Sequence, residues 1–136
     1  MHSVLSSMGI TIPVHSLSHY NISAEREVVA KQRDHKCMEL LGYLIGKLKS
    51  TQDKNGFNLY DTSVLAYGSN IRNTHTIKDF PVILSGGAIK KLRLGESLKL
   101  PKATPLQNVW LTLLQETGVP AKSFSSSTGP LAELLT

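Results

Sequence analysis

The sequence predicts an α/β fold: a short mixed sheet, a long helix before it and a second, C-terminal helix after it. Three observations carry this. Apolar residues recur near the helical period at Val28, Val29, Cys37, Met38, Leu41, Leu44, Ile45 and Leu48. Two short apolar runs, Val64–Tyr67 and Val82–Leu84, read as strands of a buried sheet. Finally, Thr104-Pro105 opens a second apolar stripe through Leu106, Val109, Trp110, Leu113 and Leu114.

Taken in order, the segment Met8–Val14 favours a short strand at Ile10, Thr11 and Ile12, because β-branched residues pack well on a pleated surface, with Pro13 ending it. His15 to Asn21 reads as a polar loop with one helical turn. Asn21 or Ser23 then caps the long helix at 24–50, which has Glu25 and Glu27 in its first turn and Lys47 and Lys49 in its last, each complementing the helix dipole. Gly42 and Gly46 each cost about 1 kcal/mol against Ala in such a helix, which a close helix-on-sheet contact would explain. Asp53-Lys54-Asn55-Gly56 is turn chemistry. Gly86-Gly87 ends the second strand, a weak edge strand is expected at Leu98–Leu100, and the second helix stops at Gly118 and Pro120. A polar linker, Ser123 to Gly129, leads to one amphipathic turn, Leu131 to Leu135.

With 136 residues the chain fits one domain, 1–136. A hydrophobic content of 40% with 18% charged residues excludes intrinsic disorder. The net charge is +5, but the charges of the long helix are mixed in sign, as on a solvated face. Only Lys90, Lys91, Arg93, Lys99 and Lys102, opposed by Glu96, form a basic run, and no aromatic residues stand among them as stacking platforms, so nucleic-acid binding is not expected. Cys37 has no partner for a disulfide and reads as a buried thiol. There is no run long enough to span a membrane and no basic n-region, so the chain as written reads as cytoplasmic.

The candidate chemistry gathers at three histidines. His15 and His19, spaced i and i+4, present both imidazoles on one side of a helical turn, where they can share a metal with a third ligand such as His75; Asp61, Ser69, Asn70 and Asp79 could add oxygens. The plainer reading is solvated loop histidines. His35, mid-helix, and His2 are read as structural or exposed. A Ser69/His75/Asp79 hydrolase lacks the G-x-S-x-G elbow. Gly42–Lys47 is not a phosphate-binding loop, because it has three residues between its glycines, no Ser or Thr after the lysine, and a helical setting.

His15-Ser-Leu-Ser18-His19-Tyr20 resembles the HxxSHH signature of a bacterial family known as domain of unknown function 1552, with Tyr20 in place of the last histidine. The segments ELLGYLIGKLKS, VLAYGSNIRNTHTIKDFPVILSGGA, TPLQNVWLTLLQETGVP and STGPLAELL are similar to that family's C-terminal part, so the resemblance covers about 15–136. It implies a C-terminal portion of a longer protein whose members are usually exported. That family in turn resembles the alkaline phosphatase and sulfatase superfamily, which implies a partial three-layer alkaline-phosphatase-like arrangement.

In that superfamily a D-x-x-x-H pair and a histidine in an H-T-x-x-D-x-P-V segment hold one zinc ion. His15, His19 and His75 fall in those places, with histidine standing for the aspartate at 15, and Ser69, Asn70 and Asp79 become oxyanion or outer-sphere candidates. The second metal's Asp-His or Asp-Asn pair is replaced by Ser69-Asn70, and the nucleophile belongs to an N-terminal half that is not in this sequence. The resemblance therefore implies a remnant module that binds zinc and through it an oxyanion, and that is not a competent enzyme alone. The alternatives are a non-catalytic binding or self-assembly module, pairing with itself or a missing N-terminal half, and a polyanion-binding protein using Lys90 to Lys102.

Overall fold

The computed structural model describes residues 2–69, 73–77, 79 and 81–136 and shows mixed α and β structure. Its elements are α1 (His2–Ser7), α2 (Val14–Leu17), α3 (Ala24–Ser50), β1 (Leu65–Gly68), β2 (Val82–Ser85) and α4 (Leu106–Glu116), with single 3₁₀ turns at Tyr20–Ile22, Asn73–His75 and Ala132–Leu134. The chain divides into two compact units, Met1–Gln52 with Gly68–Val82, and Asp53–Tyr67 with Ile83–Thr136. Among the described residues no helix is long and apolar enough to cross a membrane.

In the first unit α3 starts at Ser23, whose Oγ accepts from the Arg26 N–H at 3.2 Å, leaving Asn21 outside the cap. Its solvated face carries Glu27–Lys31 and Lys36–Glu39 ion pairs at 2.8 and 2.7 Å. The expected strand at Ile10–Ile12 is absent. The chain instead turns at Gly9 (φ 68) and enters α2 after Pro13, whose fixed φ suits the residue that precedes a helix. Leu17, 0% exposed, anchors α2.

The apolar stripe of α3 is not buried as its period implied: Ala30 is its buried residue, and Cys37, expected as a buried thiol, is half-buried. Nor do Gly42 and Gly46 mark a helix-on-sheet contact, since a Cβ on either would meet nothing within 4 Å.

The second unit has the better-formed core. Ile89, Leu92, Val109, Leu131 and Leu134 are buried together, with Val64, Leu84, Trp110 and Leu113 packed against them. The expected strand at Leu98–Leu100 is not formed, because those two leucines pack on this core as loop residues. The edge pairing forms instead between Leu92 and Leu135, antiparallel, with Arg93 N donating to Leu134 O at 2.9 Å and Thr136 N to Lys91 O at 2.7 Å.

The sheet has two strands, β1 beside β2. They run antiparallel: a Cβ on Gly68 would lie 3.3 Å from Val82 Cα, and one on Gly86 would lie 3.1 Å from Val64 Cα. The sheet is not buried, since Ala66 and Tyr67 of β1 and Ile83 of β2 are exposed. α4 begins one residue later than Thr104-Pro105 suggests. Pro105 is the flanking residue and Thr104 Oγ1 donates to Pro101 O at 2.8 Å instead of capping. The helix ends at Gly118 (φ 88), where a left-handed residue satisfies the last carbonyls.

Candidate metal centre

All three histidines of interest lie in the first unit. His15 sits in the single turn of α2, held by Ser18, whose N–H and Oγ both donate to the His15 carbonyl at 3.0 and 2.6 Å. His19 follows at the entrance to the Tyr20–Ile22 turn, its N–H donating to Ser16 O and its carbonyl accepting from Ile22 N, each at 3.3 Å. This winding stacks i and i+4 on one side.

The third ring arrives from a distant part of the chain. Thr74 N donates to Ser18 O at 3.3 Å, tying the turn before His75 directly to the segment between His15 and His19. Thr74 (φ 52) and His75 (φ 63) are both left-handed, a conformation that costs a non-glycine residue roughly 1–2 kcal/mol. Ring centroids are 5.0 Å apart for His15–His19, 5.4 Å for His15–His75 and 5.0 Å for His19–His75. One nitrogen from each ring lies within 4.8 Å of the other two.

The three rings differ in their surroundings. His15 and His75 are exposed, whereas His19 is partly buried and its Nε2 is closed off from solvent with no hydrogen-bond partner. A shielded imidazole nitrogen without a partner is costly to keep. Burial, reinforced by His15, His75 and Arg26 nearby, holds the His19 pKa below its ordinary 6.5, so its neutral, lone-pair-bearing form is favoured. Three imidazoles with no carboxylate make a donor set for a borderline metal ion rather than for calcium or magnesium. Zinc needs its nitrogens about 3.3 Å apart, so from separations of up to 4.8 Å the three rings would have to draw together around it.

Among the described His, Cys, Asp and Glu side chains, the group close enough to share an ion is His15, His19 and His75. Asp79 (φ 52) is exposed and contributes no atom to it, and Ser69 is likewise exposed at the end of β1. Asn70 lies outside the described residues. Asp61 belongs to the second unit, at the turn facing Gly87. His35 is solvated, with Nδ1 3.3 Å from Glu39. In the basic run, Arg93 is paired with Glu96, and Lys91 lies 3.9 Å from Glu116, an acidic residue from α4 that the linear sequence does not place there.

Sequence reasoning missed two contributors, Thr74 and Arg26. A β-branched residue gives no sign of left-handed backbone, so nothing in the sequence marks Thr74. Arg26 reads as an ordinary first-turn residue until the fold sets it near His19. No family model, no curated protein and no solved structure matches this chain.

Proposed function

We propose that the chain is a remnant alkaline-phosphatase- or sulfatase-like module, of the kind its HxxSHH-like segment resembles, in which His15, His19 and His75 bind zinc and present it to an oxyanion. The observation that carries this reading is the convergence of the three rings, one nitrogen of each within 4.8 Å of the others, on a histidine, His19, whose Nε2 is buried without a hydrogen-bond partner. Bound there, zinc would supply a Lewis-acidic position open to a phosphate or sulfate oxygen. The chain's own part is to supply three imidazole nitrogens, hold the His15–His19 turn in place through buried Leu17, and bring in His75 through the Thr74–Ser18 bond. Arg26 adds positive charge near His19, which favours an anionic ligand over a neutral one.

Catalysis by this chain alone is not part of the proposal. Acyl, phosphoryl or sulfuryl transfer needs a positioned nucleophile, and the superfamily that the segment resembles takes its own from an N-terminal half. The module therefore captures its ligand, and turnover would require residues from another chain or segment.

The test is elemental analysis of the chain after dialysis against trace zinc, beside His15→Ala and His75→Ala, followed by titration with inorganic phosphate. A stoichiometric metal lost in both variants, with phosphate bound only by the metal-loaded chain, is the expected result. Absence of metal from the unmodified chain would overturn the reading.

A further inference from the structure

We propose that the Asn55-Gly56 peptide is a self-modifying site, which closes on the Asn55 side chain and turns the asparagine into aspartate and isoaspartate as the chain ages. Of the six asparagines Asn55 alone precedes a glycine; the others precede Ile22, Leu59, Ile71, Thr74 and Val109. Without a Cβ, the glycine nitrogen can approach the Cγ of the residue before it, where a branched or bulky neighbour is held off.

The fold leaves this peptide open. Asn55 and Gly56 are both exposed, and a Cβ built on Gly56 would meet nothing within 4 Å. Among the described residues the Asn55 side-chain amide makes no hydrogen bond, since the bond of this residue runs from its backbone N–H. Asn58 and Asn108 differ. Asn58 Oδ1 accepts from Asp61 N at 3.0 Å, and buried Asn108 engages Thr128 through both side-chain atoms.

Asp53 acts as the brake. Gly56 N donates to Asp53 O at 3.1 Å, while Asp53 Oδ1 accepts from the N–H of Asn55 at 2.8 Å and of Phe57 at 3.0 Å. Ring closure waits for the Gly56 bond to open, which costs little for an exposed turn bond worth about 0.5–1.5 kcal/mol net. The Gly56 nitrogen then gives its proton to water and bonds to Asn55 Cγ; the Cγ–Nδ2 bond breaks, and Nδ2 takes up a proton and leaves as ammonia. Water opens the resulting cyclic imide at either carbonyl, giving aspartate or isoaspartate with no change of oxidation state. The new carboxylate lowers the formal net charge of +5 by one and repels the Asp53 carboxylate beside it. Isoaspartate also adds a carbon to the main chain, which spoils the spacing of the Gly56–Asp53 bond.

The experiment is incubation of the folded full chain at neutral and mildly alkaline pH, followed by peptide mass mapping and labelling with an isoaspartyl methyltransferase, beside Asn55→Gln, Asp53→Ala and the chain unfolded in urea. The Asn55 peptide is expected to gain the mass of an amide turned into an acid, to take the isoaspartate label, and to convert faster at the higher pH. The peptides of the other asparagines stay unchanged. On ion exchange a new species should elute with Asn55→Asp. Asn55→Gln, which alters an exposed side chain with no bond to lose, keeps its fold and shows no conversion at this position. Asp53→Ala, which frees the N–H groups of Asn55 and Phe57, speeds it severalfold. An Asn55 that stays intact in the folded chain while the unfolded chain converts overturns the proposal, as does conversion spread evenly over the other asparagines. A rate unchanged in Asp53→Ala overturns the part given to Asp53.

Discussion

Thr74 N–H donates to the Ser18 carbonyl at 3.3 Å, and this backbone bond joins the turn carrying His75 to the turn carrying His15 and His19. Thr74→Pro removes the donor and demands a φ incompatible with 52°. It should weaken zinc binding by about tenfold or more, in the range typical of residues that orient metal ligands. Thr74→Asn keeps the N–H and tolerates left-handed backbone, so it should bind zinc at least as well as the native chain. Isothermal titration of the two variants side by side checks this.

Acid should act on the same site through His19. Its folded-state pKa lies below the 6.5 of the unfolded chain, so the folded form takes up this proton less readily. The stability contributed by neutral His19 is full above that value and is lost as pH falls through the lower native one. Protons also compete with metal for the His19 nitrogen. Zinc occupancy should therefore decline as acid protonates His19, and urea unfolding of the metal-free chain should show stability falling as pH drops from 6.5 toward the lower native value. In His19→Gln the acid-side loss of stability should be reduced, which compared unfolding curves at neutral and mildly acidic pH will show.

Much of the fold was legible because local chemistry decides it. Ser23 with Glu25 and Glu27 starts α3, the two short apolar runs become β1 and β2, and the second apolar stripe becomes α4, although of that stripe only Val109 is buried and the helix's other buried residues are Asn108, Leu111 and Thr112. Errors arose where tertiary context overrides local preference. Ile10–Ile12 has strand character but no neighbour to pair with, and Leu98–Leu100 lost its edge position to Leu92, which finds Leu135 at the far end of the chain. Of the metal centre, the i, i+4 pair was readable from spacing. Among the described residues, the convergence of His75 goes with the Thr74–Ser18 backbone bond and left-handed Thr74 and His75, which side-chain identity does not encode.

Gly86 should be the least replaceable glycine of the hairpin. Its φ is 106°, and an added Cβ would lie 2.9 Å from Ser63 C, still nearer the carbonyl oxygen, and 3.1 Å from Val64 Cα, all backbone atoms that cannot swing aside. Gly86→Ala should cost about 2–4 kcal/mol, combining backbone strain with a steric clash. By contrast Gly118, with the same handedness (φ 88) but open space around it, should cost only the strain, about 1–2 kcal/mol. Denaturant melts of the two variants separate the terms.

Thr112 holds the second unit together through a hydroxyl that works in both directions. The residue is 1% exposed; its Oγ1 donates to Asn108 O at 2.8 Å and accepts from Leu131 N, also at 2.8 Å. Asn108 extends the clip, its Nδ2 donating to Thr128 Oγ1 and its Oδ1 accepting from Thr128 N. These bonds fasten the Thr128–Leu131 segment to α4 and seat Leu131 and Leu134 in the core. Thr112→Val preserves shape but leaves the buried Leu131 N–H without an acceptor, whereas the Asn108 carbonyl keeps its helical bond. The cost should be about 1–3 kcal/mol, the desolvation penalty of one orphaned donor. Thr112→Ser keeps the hydroxyl and loses only a methyl group, so it should cost about 1 kcal/mol. If Val proves as stable as Ser in denaturant melts, then apolar packing rather than this hydroxyl fixes the C-terminal segment. If Val is the weaker by the expected margin, hydrogen exchange at the Leu131 amide should quicken in it and not in Thr112→Ser.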